Sequence, residues 1–401
     1  MAVAGKISTY IMGRLFEGLR DITIHTSMKN LCGSFSFSYD PTKLYTLPNG
    51  RSGPLPSPTG NSQQPTLQDT CEFYIDDNKI FTGYIEDVTG GYSSTTHSIT
   101  FTGRSKTLEI VDHTIVKGVN YLAPPLTQLT YQQLFTSILK DNELTNQKVI
   151  FDPSFKNLGA TLLIQGEKAI TETGESVFKV LDTYAKKLNA ILITDPEGNL
   201  LVTKGNSTSF VGNLTNKING TAGAGSNNIL EADFGGKTSS RFSKYTLLSQ
   251  LDTTVSKGSD KVVDTNLNTT QLAFVIDPDI KLTKEKVVLI SSATPKGVLQ
   301  KMVEWQANLA KTAASTYRCK VFDYYTSSNR NSIWEINKMA NVDDEFSLTK
   351  GPLLIDSVSY IKSNSGTFSQ LTLVNKNSYS NREYTNSIAA GVSGTVASAS
   401  L

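Results

Sequence analysis

Alternation of apolar and polar residues at every second position is the main pattern in the first hundred residues. Ile22 and Ile24, and then Phe35 and Phe37, follow this period, which is that of a half-buried β-strand. The same alternation returns in three later segments, at residues 71–75, 80–88 and 98–103. Residues 1–118 are therefore predicted to form an N-terminal β-barrel or sandwich built from hairpins.

A proline-rich stretch interrupts this pattern between residues 40 and 67. Its prolines are Pro41, Pro48, Pro54, Pro56, Pro58 and Pro65. Proline lacks a backbone donor and breaks both helices and central strands. The stretch is therefore predicted to be a long loop inserted between two strands.

Helical patterns occupy the middle of the chain. Thr130 and Gln133 have the spacing of a capping box, and an apolar stripe follows them. A second helix is predicted over residues 174–189, followed directly by a hairpin. We therefore predict a smaller α+β region at residues 119–228, whose polar, glycine-rich end at 205–228 is an exposed connector.

Strand-like segments return in the last third, which is predicted to be a second β-barrel region over residues 229–380. They are residues 230–234, 241–249, 272–276, 287–290, 318–325, 332–336, 353–360 and 370–374. A helix is predicted over residues 295–313, because Pro295 suits a first helical turn and apolar residues then recur at helical spacing. These residues are Val298, Met302, Trp305 and Leu309. Residues 381–401 are small and polar and are predicted to form a flexible tail.

Two distant hairpins share one pattern. Residues 85–88 (IEDV) lead to residues 99–101 (ITF), and residues 355–358 (IDSV) lead to residues 371–373 (LTL). In each hairpin an acid follows an aliphatic residue, and a valine stands two positions later. Interpreted as a repeat, the pattern indicates two related β-barrels flanking the α+β region. Chance similarity between alternating strands is the competing interpretation.

The composition agrees with strands and excludes several classes of protein. The 401 residues include 42 Ser and 46 Thr, against 38 Lys plus Arg and 36 Asp plus Glu, which favours sheets over long solvated helices. The net charge of +2 provides no basic surface, so no sequence-specific nucleic-acid partner is expected. No apolar run reaches the roughly 18 residues of a membrane span. The N-terminus lacks the pattern of a signal peptide, so we expect assembly in a cytoplasm.

Reactive residues are few and scattered. The three histidines are His25, His97 and His113. None has the spacing of a metal ligand, so neither a metal nor a cofactor site is predicted. The three cysteines are Cys32, Cys71 and Cys319. Because they are widely spaced, they are expected to be buried thiols rather than a disulfide framework.

Two acidic clusters, residues 86–87 and 343–345, offer carboxylates for acid–base chemistry. Neighbouring acids on a strand point to opposite faces of a sheet, which disfavours a glycosidase pair and favours solvated turns. The sequence contains no nucleophile elbow and no phosphate-binding loop. The lack of a clustered reactive set favours an assembly component over an enzyme.

Three segments carry a family resemblance. The first is TGYIEDV at residues 82–88, followed by HSITFTGRSKTLEIVD at residues 97–112. The others are VFKVLDTYAKKLNAILITDPEGNLLVTK at residues 177–204 and GPLLIDSVSYIKSNSGTFSQLTLVNK at residues 351–376. In combination they resemble Mu-like phage baseplate hub proteins, the late-control or tail-hub family of contractile tails. The positions that match the family motif are Gly83, Glu86, Val88, Gly103, Arg104 and Asp112.

The resemblance implies a non-enzymatic structural protein of the virion tail. In that family the hub is a homotrimer with two barrel domains per chain, which form a ring of near-sixfold symmetry. One end of the ring meets the hexameric tail tube protein, and the other holds the trimeric central spike protein. Tape measure and baseplate wedge proteins are further candidate partners. A secretion-system fusion of hub and spike is also similar, but we expect a separately encoded spike.

Arg104 is expected to form an ion pair, within or between chains, that fixes a strand end together with Gly103 and Asp112. An exposed arginine at a strand end is the alternative. Two alternative functions are a tail-tip cell-wall hydrolase and a carbohydrate-binding tail adhesin. The adhesin would use the aromatic residues Tyr324, Tyr325 and Trp334, which are equally typical of core strands.

Overall fold

The structure is a computed structural model that describes most of the chain. The described residues are 5–16, 19–39, 45–46, 52–53, 65–93, 97–121, 129–155, 170–188, 190–205, 207–219, 227–250, 270–290, 296–327, 330–376 and 378–379. Most of the predicted loop at 40–67 and the whole predicted tail at 381–401 lie outside them.

Nine strands come first among the described elements, and the four α-helices lie between later strands. The strands of the N-terminal part are β1 (Ile7–Ile11), β2 (Arg14–Phe16), β3 (Asp21–Ser27), β4 (Ser34–Tyr39), β5 (Tyr45–Thr46), β6 (Ser52–Gly53), β7 (Thr70–Ile75), β8 (Asn78–Tyr92) and β9 (His97–Ser105). Those of the middle are β10 (Val149–Phe151), β11 (Ile191–Thr194), β12 (Leu200–Thr203) and β13 (Phe210–Asn216). The remaining strands are β14 (Ile229–Gly236), β15 (Lys244–Gln250), β16 (Thr270–Ile276), β17 (Glu285–Ile290), β18 (Ser315–Phe322), β19 (Met339–Asp344), β20 (Thr349–Ser363) and β21 (Gly366–Asn375). The helices are α1 (Leu108–Asp112), α2 (Tyr131–Asp141), α3 (Val177–Lys187) and α4 (Lys296–Ala314).

One sheet of 13 strands contains strands from both ends of the chain. Eleven of them follow each other in the order β14-β18-β21-β20-β3-β4-β9-β8-β7-β1-β2, and β19 joins β20 and carries β13. The protein is therefore β-rich, as predicted. Within the described part of the chain this sheet does not close into a barrel.

Strand β3 joins the N-terminal strands to the C-terminal strands. It pairs antiparallel with the second half of β20, from Ser27 opposite Ser357 to Ile22 opposite Lys362. The first half of β20 pairs with β19 on the same side. Ile24 of β3 is fully buried in the largest apolar cluster. The junction between β3 and β20 therefore seals one core shared by both ends of the chain.

The middle of the chain packs as an α+β layer. Helix α2 begins with the predicted capping box, in which Thr130 and Gln133 satisfy each other's backbone N–H groups. The three-stranded sheet β10-β12-β11 and the helices enclose a second apolar cluster around Leu134, Ile138 and Leu181, which are all fully buried. The predicted helix at 174–189 and the hairpin after it are confirmed as α3, β11 and β12.

Hydroxyl groups attach this layer to the large sheet. Thr82 Oγ1 donates to the Pro196 carbonyl oxygen at 2.8 Å, and Thr194 Oγ1 donates to the Leu31 carbonyl oxygen at 2.6 Å. Thr107 Oγ1 lies 2.5 Å from Thr194 Oγ1. Part of the hydroxyl-rich composition therefore bridges two layers rather than coating a solvated surface.

Helix α4 packs on the three-stranded sheet β16-β15-β17. Leu299 and Val303 are fully buried against this sheet, with Ala307 and Ala310 beside them. Of the predicted stripe, Met302 is 37% exposed and Trp305 is half-buried, because the sheet face sets the phase of the helix, while the side chains of Val298 and Leu309 lie outside the described residues. No helix among the described residues is long and apolar enough to cross a membrane.

The predicted exposed connector at residues 205–228 is wrong in its central part. It contains β13, which pairs in parallel with β19 and places Leu214 in the largest apolar cluster. A parallel strand can lie far from its partner in sequence, as β13 does from β19. The local sequence of β13 therefore gives little indication that it is a strand.

The predicted strand at residues 332–336 is also wrong. It makes only an isolated bridge between Ile333 and Tyr325, and its backbone is held by the Trp334 N–H, which donates to the Tyr324 carbonyl oxygen at 3.1 Å. Tyr324, Tyr325 and Trp334 are all buried. They pack in the core and do not form an exposed aromatic surface.

Candidate functional site

A β-bulge interrupts the pairing of β8 with β9 at Glu86. Ile85 lies opposite Gly103 and Asp87 lies opposite Thr102, so Glu86 has no opposing residue on β9. The bulge therefore frees one carboxylate from the regular ladder in the middle of β8.

Arg104 binds this carboxylate with two parallel hydrogen bonds. Its Nε donates to Glu86 Oε2 at 2.7 Å and its Nη2 to Glu86 Oε1 at 2.6 Å. Nη1 and Nη2 also donate to the Asp112 carboxylate at 3.2 and 2.5 Å. The hydrogen bonds of Glu86 and Asp112 raise the pKa of the Arg104 guanidinium. The predicted ion pair thus forms within the chain and ties the bulge to the end of α1.

Gly83 and Gly103 are required by close backbone approach beside this ion pair. A Cβ at Gly103 would lie 2.0 Å from the Tyr84 carbonyl oxygen and 2.6 Å from the Phe35 ring. A Cβ at Gly83 would lie 2.2 Å from the Arg104 carbonyl oxygen. Both glycines therefore have a steric reason in the packing of β8 against β9.

Val88 is the one motif position that does not join this cluster. It lies opposite Phe101 on β9 and is 41% exposed. The other five motif positions meet at one strand end, whereas Val88 lies on the half of β8 that pairs only with β9 among the described strands.

A second bulge lies at Asp356 in β20. The register with β21 shifts between Ile355 and Ser357, as it shifts around Glu86. Lys29 Nζ lies 2.8 Å from Asp356 Oδ2, and the Tyr379 hydroxyl donates to Asp356 Oδ1. Sequence reasoning missed both partners, although the repeated acid after an aliphatic residue marks this bulge.

The two bulged hairpins belong to strand sets of the same order. The sets β7-β8-β9-β4-β3 and β19-β20-β21-β18-β14 are antiparallel throughout. The residue after each bulge lies opposite a threonine, Thr102 in one set and Thr372 in the other. The repeat predicted from the sequence is therefore present in strand order, register and bulge.

The acidic cluster at 343–345 is not the solvated turn that we expected. Asp344 lies in β19 and is 2% exposed. Its side-chain donors are Ser347 Oγ at 2.7 Å, Tyr317 OH at 2.8 Å and Asn216 Nδ2 at 2.9 Å. Burial works against ionisation, but these hydrogen bonds hold the pKa of Asp344 below its usual value. Asp343 instead pairs with Lys217, so the cluster provides no carboxylate pair for catalysis.

The histidines and cysteines are not gathered into a reactive site. Burial lowers the pKa of His25, and the negative charge of Asp356 offsets part of this shift. The ring of His97 stacks on Tyr92. Cys71 and Cys319 are buried, as predicted, whereas Cys32 is partly exposed. No group of three metal-ligating side chains occurs within the described ranges.

A cleft of about 530 Å³ opens between the large sheet and the α+β layer. Its charged wall residues are Lys79, Asp152, Asp195, Lys204, Glu335 and Lys338. Burial raises the pKa of Glu335. The cleft is lined by none of the six motif positions and by no histidine or cysteine.

Most of the motif cluster lies within a segment that a known family describes. Residues 6–105 match the family model of the Mu phage baseplate assembly protein GpP-like, N-terminal. The resemblance predicted from the sequence is thereby confirmed over this segment. Asp112 lies just beyond it, in α1. The comparison with curated proteins gives no match.

Solved tail proteins share the fold of nearly the whole chain. The 43 kDa tail protein of prophage MuSo2 from Shewanella oneidensis is 20% identical, with a TM-score of 0.71 over 94% of this chain and 99% of that one. The tail protein from Neisseria meningitidis MC58 is 18% identical, with a TM-score of 0.71 over 95% and 99%. Prophage tail protein gp18 from Listeria monocytogenes EGD-e is 12% identical, with a TM-score of 0.52 over 92% and 94%. At these identities the likeness establishes a shared fold.

Replacing Gly103 tests the steric role of the motif glycines. Because its Cβ would meet the Tyr84 carbonyl oxygen at 2.0 Å, Gly103→Ala is expected to lower the free energy of unfolding by roughly 3 kcal/mol in urea denaturation. Gly297→Ala is the control, since nothing lies within 4 Å of its Cβ and alanine suits a position inside helix α4, so it should not lower the free energy of unfolding. Equal midpoints for both variants would contradict this role.

Replacing Arg104 tests the ion pair. Arg104→Met leaves two carboxylates facing each other without a cation, and is expected to lower the free energy of unfolding by about 1–2 kcal/mol. The loss is limited because the Arg104 side chain is 34% exposed. Arg104→Lys should lie between Met and wild type, since lysine cannot make the bidentate contact.

The matched control for the ion pair is Lys186→Met, which removes an i,i+4 pair with Asp182 on α3. That change should cost about 0.3 kcal/mol. A thermal midpoint of Arg104→Met equal to that of the wild type would remove the structural role of the cluster.

Proposed function

We propose that this protein is the structural hub of a contractile phage tail baseplate. In this proposal three chains form a ring that joins the hexameric tail tube to the trimeric central spike. The protein acts in the virion after assembly in the host cytoplasm. It holds no cofactor and catalyses no reaction. Tape measure and baseplate wedge proteins are further contacts.

The observation that carries the proposal is the repeated strand set within one chain. Two sets of equal strand order and equal bulge position supply two similar surfaces per chain. Three chains then present six similar surfaces, which is how a threefold assembly can match a sixfold partner. The match of residues 6–105 to a baseplate family and the tail-protein fold support the same assignment.

The domain division predicted from the sequence belongs to this proposal. Residues 1–118 and 229–380 form the two barrel domains of the ring, and residues 119–228 form the α+β domain between them. All six motif positions are structural positions in this proposal, and five of them, all except Val88, hold the end of β9.

The chemistry of the described surface supports a protein that binds other proteins. The net charge is only +2, so the ring offers DNA no strong attraction while the genome passes through it. The ion pairs of Arg104 and Asp356 lie at the bulges of β8 and β20, where they fix the geometry of the strands. Neither provides a nucleophile with an adjacent base.

A cell-wall hydrolase is the alternative that one observation favours. The cleft of about 530 Å³ contains Glu335, whose pKa burial raises, together with Asp152. A hydrolase would need this pair as acid and base. Clearing of peptidoglycan in a zymogram, lost in Glu335→Gln, would replace the structural assignment.

Light scattering of the purified chain tests the hub assignment directly. The expected mass is about three times the 43.6 kDa of one chain, and it should persist on dilution to low micromolar concentrations. Added spike protein should bind in a ratio of one spike trimer per hub trimer. A monomer at every concentration, with or without spike protein, would contradict the proposal.

A further inference from the structure

Strand β3 pairs with β20 within the chain, and we call this pairing the internal junction. The repeat contains a second, equivalent pair of strand edges. In the first strand set the last strand is β3, and in the second it is β14. Within the chain, β3 pairs with the second half of β20. The second half of β8, which is equivalent in the repeat, has a strand only on its β9 side among the described residues. Strand β14 likewise has only β18 beside it.

The bulges give the residue correspondence between the two sets. Counting from Glu86 and Asp356, residues 87–92 of β8 correspond to residues 357–362 of β20. The same correspondence can be followed across the pairing registers, from β9 through β4 to β3 in the first set and from β21 through β18 to β14 in the second. It relates residues 232–236 of β14 to residues 22–26 of β3. The two partners of the internal junction therefore correspond to two open edges.

Burial differs sharply between the corresponding positions. Val358 of β20 is fully buried at the internal junction, whereas its counterpart Val88 is 41% exposed. Ile24 of β3 is fully buried, whereas its counterpart Phe234 is 48% exposed. Both side chains are thus partly exposed at the positions where the repeat leads us to expect a neighbouring strand, with Phe234 in edge-on contact with Phe346 alone among the described rings.

Glycines at the two open edges are not explained by their own chain. A Cβ at Gly91 or Gly235 would meet nothing within 4 Å, and one at Gly90 or Gly236 would meet only ordinary contacts. None of the four has the left-handed backbone that favours glycine. Glycine costs stability in a strand, and here no contact within the described chain requires it, whereas close approach of a second backbone would.

We propose that β14 of one chain pairs antiparallel with residues 87–92 of the next chain, and that this pairing closes the ring. The register copied from β3 and β20 places Phe234 opposite Gly90, Gly236 opposite Val88 and Ala232 opposite Tyr92. The occupant of each open edge is therefore a second copy of this chain. The inference rests on the proposed homotrimer and names the surface that forms it.

The side chains at this register are complementary. Phe234 lies opposite a glycine, an arrangement in which an aromatic ring covers the gap left by the missing side chain. The same register places the exposed Asp87 opposite the exposed Lys237, which follows β14 directly. Main-chain ladders at open sheet edges are also a common mode of strand addition between chains.

Cysteine pairs can test this register residue by residue. At the internal junction the Met28 N–H donates to the Asp356 carbonyl oxygen at 2.8 Å, so these two residues form a hydrogen-bonded pair. Hydrogen-bonded and non-hydrogen-bonded pairs alternate along an antiparallel ladder. Thr23 and Ile361 are therefore a non-hydrogen-bonded pair, the type in which opposing side chains are closest. Its counterpart between chains is Asp233 opposite Gly91. We therefore choose Gly91→Cys with Asp233→Cys, in a Cys32→Ser background that removes the partly exposed thiol.

Mild oxidation of this variant is expected to convert most of the protein to covalent dimers and trimers on a non-reducing gel. Thr89→Cys with Gly235→Cys, two positions along the same ladder, should give the same products. Gly91→Cys with Phe234→Cys is the matched control, since a shift of one residue places the thiols on opposite faces of the sheet. It should give at least tenfold less cross-linking.

Light scattering of the same samples separates the two claims. A trimer in which neither designed pair cross-links above the control overturns this pairing and leaves the hub assignment standing. A monomer overturns both. A trimer with cross-links in the designed pairs and not in the control supports the pairing.

Discussion

The antiparallel ladder between β3 and β20 is the interaction on which the rest of the structure depends. It joins positions as distant as His25 and Ser359, which are 334 residues apart, and it merges the two strand sets into one sheet. Closing such a long chain segment has a large entropic cost. Burial of Ile22, Ile24 and Val358 on the same face offsets that cost through the hydrophobic effect.

The bulges explain why the acid recurs in both hairpins. A bulge adds one residue to one strand and removes it from the ladder, and an acid at that position can bind a cation beside the strand. Glu86 binds Arg104, and Asp356 binds Lys29. The two sites differ in burial, since the Glu86 side chain is 30% exposed and that of Asp356 only 3%. We attribute this difference to the neighbouring strand that covers Asp356 at the internal junction.

Local signals predicted the elements that local interactions form. The capping box at Thr130 and the hairpin after α3 depend on contacts between near neighbours, and both are as expected. The resemblance of the motif segments to a baseplate family could also be seen in the sequence, and it is confirmed over residues 6–105. Glu86 was not foreseen as a partner of Arg104, because the bulge that frees this carboxylate depends on the pairing of β8 with β9.

Long-range pairing defeated the same reasoning elsewhere. Strand β13 was hidden in a polar segment because its partner β19 lies more than a hundred residues away, and few apolar side chains, chiefly Leu214, mark it as part of the core. The phase of α4 depends on the sheet beneath it, which the sequence of the helix does not contain. Asp356 has two partners, Lys29 and Tyr379, which come from opposite ends of the chain.

Residue-level amide hydrogen exchange of the assembled protein is the sharpest test of the pairing between chains, because it compares residues 87–92 with their counterparts at the internal junction in one sample. We expect the amides of Val88, Gly90 and Tyr92 to exchange as slowly as those of their counterparts Val358, Tyr360 and Lys362, since both groups lie in backbone ladders. Exchange of the first group at the rate of exposed backbone, while the second group stays protected, would contradict it.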